Sequence, residues 1–341
     1  MTQFQLAIKA TGLVTSVGLS APASCAAIRA KLSNAHETAF VDSLAEPIVA
    51  HEVPLEIPWR GRYRLIHLAA LALEECAAGL DPEQLASIPL YLCVAETGRP
   101  GREAGLDDSL LAEIYDELRI EPVPQSEVLA MGRVGVAHAL ARCRAVIETG
   151  AARFALVVAV DSLLREETLD AYDGAQRLLT PGNSNGFLPG EGAGAILVGP
   201  VGSQPELCCT GLGFATERSH IDADVPLRGD GLATAVRAAL NEAACGLHDI
   251  DYRIADLSGE HYYFKEASLV VGRLLRAVRP EIDLWHPAEC IGETGAVAGV
   301  AVLVVAEAAA RKGYAPGRRV LAHLSADDGQ RAAAVFEYIG A

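Results

Sequence analysis

From Gly295 to Ala306 the chain runs for 12 residues without a polar or charged side chain. A helix this apolar has no face to give to water, so protein must enclose it all round. Twelve residues are too few to cross a bilayer, which leaves a buried helix. The stretch "VGVAHALARCRAVIETG", 134–150, is a second Ala-rich helix that closes on a glycine. Central helices need sheets beside them, and "ARFALVVAVDSLL", 152–164, reads as a strand buried on both faces.

The order of elements repeats. "LCCTGLGFATE" echoes the opening strand "FQLAIKATGLV", with Thr210-Gly211-Leu212 set against Thr11-Gly12-Leu13. "GDGLATAVRAALNEAACGL" echoes the helix that ends at Gly79, and "RRVLAHLSADD" echoes "ARFALVVAVDS". Alternating strands and helices in two similar sets predict an α/β fold built by internal duplication. The halves are 1–200 and 201–341, divided at the Gly- and Pro-rich "VGPVGSQPEL". Between the repeated elements, "DDSLLAEIYDELRI" is expected as an exposed helix with an acidic start, and "SEVLA" as a short strand.

A net charge of -16 disfavours nucleic acid and anionic membrane as partners. The eight cysteines form no CxxC pair and no zinc-spaced set, so they read as reduced and mostly buried, as in a cytoplasmic protein. The opening "MTQFQLAIKATGLV" lacks the basic start and apolar run of a secretory leader. No cofactor and no metal are expected.

"NGFLPGEGAGAILVGP", 185–200, places Gly190, Gly192 and Gly194 at alternate positions. A nucleotide loop would need a strand before it and a helix after it, whereas here a Pro-containing loop precedes and a strand follows. The segment instead resembles the Gly-Phe-x-x-Gly-Glu-Gly-Ala-Gly motif of the β-ketoacyl synthases of the thiolase-like superfamily, through Gly186, Phe187, Gly190, Glu191, Gly192, Ala193 and Gly194. "TGLVTSVG", "IDYRIADL" and "IGETGAVAG" resemble three further family segments in the same order. The resemblance covers almost the whole chain. It implies a thiolase-like fold of two mirrored halves in five layers, α-β-α-β-α. It also implies a homodimer, paired through the strand near Ser126–Ala130.

The family's chemistry is condensation of acyl thioesters by a cysteine at a helix mouth, helped by two histidines or a histidine and an asparagine. Carried over residue by residue, the cysteine position falls on Arg133, the first histidine on Asp256 and the second on Glu293. The family's Gly-rich C-terminal turn falls on "ADDGQRAA", around Gly329. Cys143 is the nearest thiol but lies about three turns into the helix, where it reads as a packing residue. Arginine stays charged and is no acyl nucleophile. A cation at a helix N-terminus needs anions near it, so Arg133 is expected to bridge one or both of Asp256 and Glu293 and to fill the acyl pocket. Arg133, His138, Asp256, Glu260, His261 and Glu293 are the candidates for any pocket that remains, with His261 in a loop or at the surface. A divalent cation held by Asp256, Glu293 and Glu260, and hydrolysis by a carboxylate pair, are weaker readings of the same residues. Glu191 is read as structural, bonded to backbone N–H groups. The aromatic run "HYYFK", 261–265, either lines a ligand mouth or covers the sheet, and the basic "TGRPGRE", 97–103, is a solvated loop or a remnant of carrier-protein docking.

The function these positions suggest is that of a catalytically inactive synthase homologue. It would be a bacterial, homodimeric scaffold or accessory protein beside a synthase or a secretion effector. The alternatives are a cysteine-independent acyl-thioester decarboxylase or acyltransferase, and a non-covalent binder of an acyl ligand.

Overall fold

The computed structural model describes residues 5–277 and 282–340. The strands are β1 (Leu6–Val14), β2 (His36–Val41), β3 (Pro47–Ala50), β4 (Leu90–Cys93), β5 (Glu127–Leu129), β6 (Ala155–Ser162), β7 (Glu191–Pro200), β8 (Glu206–Thr216), β9 (Tyr252–Ala255), β10 (Asp283–Trp285), β11 (Arg319–Ser325) and β12 (Gln330–Ile339). The helices are α1 (Ala21–Arg29), α2 (Gly61–Ala77), α3 (Pro82–Leu85), α4 (Leu110–Leu118), α5 (Gly135–Glu148), α6 (Glu166–Gly174), α7 (Asp230–Glu242), α8 (His261–Leu274), α9 (Ala288–Ile291) and α10 (Val297–Arg311).

Ten strands run in the order β10-β9-β11-β12-β8-β1-β7-β6-β4-β5. Read outward from the centre, the two sides match strand for strand. On one side β1–β7 and β7–β6 are antiparallel, and β6–β4 and β4–β5 are parallel. On the other β8–β12 and β12–β11 are antiparallel, and β11–β9 and β9–β10 are parallel. Among the described residues, β1 and β8 pair through Leu6 with Cys209 and Ala7 with Cys208.

The largest apolar cluster takes residues from α1, α5 and α10 together with strands of both sides, so these helices form the middle layer. A second cluster joins α2 and α4 to β4, β6 and β7. A third joins α7 to β11 and β12. The result is helix, sheet, helix, sheet, helix: a mixed α/β, thiolase-like fold. α10 is buried along nearly its whole length, as its composition demands.

Local chemistry explains the glycine-rich start of β7. A Cβ on Gly192 would stand 2.6 Å from the Val14 carbonyl oxygen, and one on Gly194 would stand 2.5 Å from Val300 Cγ1. The strand is therefore pressed between β1 and the middle helix.

Two segments differ from their sequence reading. "HYYFK" is the first turn of α8 rather than part of a loop, because its aromatic and apolar residues recur at helical spacing and Tyr263, Ala267 and Val270 are buried. α4 is amphipathic rather than exposed, with Leu110, Ile114 and Tyr115 turned into the core.

Candidate functional site

β5 ends beside β4, and the chain then turns through Met131 and Gly132 into a short 3-10 turn, Gly132–Val134, that feeds α5. Gly132 sits at φ +52, and a Cβ there would lie 2.3 Å from the Glu96 carboxylate. The turn delivers Arg133 to the mouth of α5 and buries it.

The Arg133 guanidinium is fully engaged at both ends. Nη1 donates to Glu293 Oε2 at 3.4 Å. Nη2 donates to Tyr263 Oη at 3.0 Å and to Asp327 Oδ1. The guanidinium carbon also stands 4.7 Å from the Tyr263 ring centre. Asp327 accepts from Arg177 as well, with Nη1 at 2.6 Å from Oδ2, and Arg177 turns its other edge to Glu260 at 2.7 and 2.8 Å. Five charged side chains thus alternate in sign: Glu293, Arg133, Asp327, Arg177, Glu260.

The expected bridge from Arg133 to Glu293 is present, and its other anchor is Asp327 rather than Asp256. Asp256 is buried and accepts from the Ser325 N–H at 2.8 Å. Burial pushes its carboxyl up to about 7, against the pull of Arg133 and of that N–H. Glu293 is also raised by burial, opposed by Arg133 and by the Gly295 N–H, which it accepts at 2.9 Å. Asp327 goes the other way. Burial alone would raise it, but Arg133, Arg177 and the Tyr263 hydroxyl hold it well below the usual carboxylate range. It is the one carboxylate of the three placed between two guanidinium groups.

The remaining candidates lie apart from this cluster or are already spent. Glu260 gives both oxygens to Arg177, which removes it as a cation ligand beside Asp256 and Glu293. His261 is exposed at the start of α8, its N–H donating to Asn185 Oδ1 at 2.8 Å. His138 is on α5 with its ring 4.3 Å from that of Phe214, away from the mouth. Cys143 is fully buried, and burial raises its thiol well above the ordinary range, so it offers no thiolate. Glu191 accepts from the Val53 N–H at 2.9 Å, from Arg64 Nε at 2.9 Å and from the Ser162 hydroxyl at 2.9 Å, which ties β7 to its surroundings. The basic loop holds no free cation of the kind docking needs: Arg99 is paired with Glu96 and Asp161, and Arg102 with Asp107.

A second ionic group adjoins the first. Arg99 Nη1 donates to both Asp161 oxygens at 2.7 and 2.8 Å, and Asp161 Oδ2 accepts the Ala296 N–H at 2.8 Å. Between the two groups the free volume is a cavity of about 10 Å3, bounded by Arg99, Arg133, Arg177, Glu293 and Asp327 among others. That is room for one water at most. Asp327 and Arg177 were not among the sequence candidates, and Tyr263 entered only as part of the aromatic run 261–265. The acidic pair in the changed "ADDGQ" turn was a usable signal for Asp327; "AQRLLTPGN" gave none for Arg177.

No family model matches the chain, and no curated protein matches it. Solved structures do. The ishigamide ketosynthase/chain length factor is similar at a TM-score of 0.80 and 19% identity, over 99% of this chain and 100% of that one. The ketosynthase AntDE, solved with its acyl-carrier protein AntF, is similar at 0.81 and 14%, over 99% and 100%. The ketosynthase ApeO with its chain length factor ApeC from Xenorhabdus doucetiae is similar at 0.73 and 13%, over 98% of each. The fold of this chain is that of the ketosynthases. Among the described residues, no helix is long and apolar enough to cross a membrane.

Proposed function

We propose that this chain is a catalytically silent ketosynthase-like protein that acts through protein contacts, as a scaffold or accessory partner in the bacterial cytoplasm. The observation that carries the reading is Arg133. It stands at the mouth of α5 with its guanidinium bound to Glu293, Tyr263 and Asp327. A permanently protonated group cannot attack a thioester, and with no more than a water-sized space around it no acyl chain can lie alongside. Partnership is supported by the fold's relatives, which are described as ketosynthase and chain-length-factor complexes. It is also supported by β5, a sheet-end strand whose outer edge has no strand partner among the described residues. A homodimer through Ser126–Ala130 uses that edge, and the two units 1–200 and 201–341 are proposed as the duplicated halves of each subunit.

The test is direct. Purified protein is incubated with malonyl and acyl thioesters and followed for turnover and for an acyl adduct by intact mass. The expected result is neither. Turnover that disappears in Arg133→Ala would replace this reading with a cysteine-independent acyl-thioester enzyme. Heat of binding from acyl thioesters of any chain length, without turnover, would replace it with a ligand binder. Sedimentation of the wild type against Val128→Pro, which removes an edge donor, tests the dimer.

A further inference from the structure

Arg99 lines the water-sized cavity on one side and a far larger cleft, about 790 Å3, on the other. The cleft lies between the β2–β3 hairpin, the start of α2, the loop after β4 and α6. Its size falls in the range of true ligand sites. Its floor is two neutralised pairs, Arg64 with Glu191 and Arg99 with Asp161.

The rim is not neutral. Asp42, Glu166 and Asp170 line it, and among the described residues none has a cationic partner; Asp173 also lines the cleft but is buried and accepts the Ser43 N–H at 2.9 Å. Glu52 is shared at 3.6 Å with Arg64 and at 3.7 Å with His36. Against these carboxylates, among the described residues that line the cleft, only Arg60 has no ion-pair partner, because Arg165 is held by Glu103 and Arg102 by Asp107. The carboxylates are spread along the rim and do not converge, and among the described residues no group of three could hold a metal ion. Between them the walls are apolar, from Trp59, Phe40, Leu106, Leu164 and Leu169.

We propose that this cleft binds a basic peptide segment of a partner protein, one carrying several lysines or arginines. Such side chains lay their apolar stems on a wall and carry the charge to its edge. The Trp59 ring, packed at 4.3 Å by His67, lines the cleft, and an aromatic ring there attracts a cation. The net charge of -16 steers a basic segment inward. The proposal deepens the scaffold reading and rests on it, since it gives the partner a chemistry. A small polyamine supplies the charge without the stems and backbone that the walls accommodate.

The experiment uses Trp59 emission as the reporter, in a Trp285→Phe background that leaves it the single tryptophan. A short arginine-rich peptide, spermine and an oligoglutamate are titrated in turn. The arginine peptide is expected to bind and shift the emission, weakening as salt screens the rim, while oligoglutamate does nothing. Glu166→Lys with Asp170→Lys, both exposed, is expected to weaken binding by about tenfold or more. Glu83→Lys with Asp116→Lys makes the same charge change at exposed sites remote from the cleft and is expected to leave binding within about twofold. Equal weakening by both pairs, no binding, or spermine binding as tightly as the peptide would each overturn the proposal. Failure here is separable from failure of the scaffold reading, because thioester turnover is measured independently: turnover with intact peptide binding sinks the scaffold and keeps the cleft.

Discussion

The middle layer contains two helix mouths that meet, and they carry opposite charge. At the mouth of α10 stand carboxylates: Asp161 accepts the Ala296 N–H and Glu293 accepts the Gly295 N–H. This is the arrangement a helix N-terminus favours. It depends on Gly295 at φ +57, where a Cβ would lie 2.1 Å from Asp161. At the mouth of α5 stands Arg133, the wrong sign for the dipole. The two are solved together, because Glu293 serves one helix through its Oε1 and the guanidinium of the other through its Oε2. Asp327 supplies the second anion that α5 lacks. The lesson is that a misplaced charge is tolerated when a neighbouring terminus already needs the opposite one.

The sharpest way to break that comparison is Arg133→Met. It keeps roughly the same volume, leaves Glu293 without its guanidinium partner and leaves Asp327 with Arg177 alone, so about 3–5 kcal/mol of stability is expected to go, read as a lowered urea midpoint. The matching change at the other mouth, Asp161→Asn, keeps a hydrogen-bond acceptor for Ala296 but leaves Arg99 short of an anion, with a smaller expected loss of about 1–3 kcal/mol. If the two losses were reversed, the carboxylate mouth rather than the arginine mouth would be the strained one. Gly194→Ala, which drives a methyl at Val300 of α10, should cost about 1–3 kcal/mol by overpacking the same layer.

A smaller effect sits in the pH dependence. Asp256 titrates at about 7 folded and near its ordinary 3.8 unfolded. Between those values the folded state holds more protons, so Asp256 lowers stability as pH rises, and its cost is complete above about 7. Asp256→Asn should flatten that fall in urea midpoints taken from pH 4.5 to 8. His323 acts with the opposite sign: burial first, then Arg253, lowers its imidazole to about 3, so its contribution is lost as pH falls below its ordinary 6.5. The smallest effect is expected of His261→Ala, within about 0.5 kcal/mol, since the ring is exposed on α8.

Much of the fold was legible because its signals are local. The Gly190-Glu191-Gly192 run, the twin strand openings and the apolar stretch of α10 each follow from spacing within one segment. The site was legible only in part. Arg133 and Glu293 could be found because each sits at a fixed offset from a glycine that the packing requires. Asp327, Arg177 and Tyr263 come from three separate segments, and nothing in the sequence near Arg177 announces that its side chain will meet Asp327. Asp256 was expected as a partner of Arg133, whereas it accepts the Ser325 N–H of β11. The start of α8 was misread as a loop since Gly259 and the aromatic cluster hid a helix whose buried face begins only at Tyr263.

The alternating chain from Glu293 to Glu260 also bears on what position 133 can tolerate. A thiol placed there by one substitution would leave Glu293 without its guanidinium partner and Asp327 with Arg177 alone, so that change is a step down in stability. Each anion around Arg133 raises that barrier. A cysteine mouth on this chain would need several changes that arrive together, so its own charges hold position 133 as arginine.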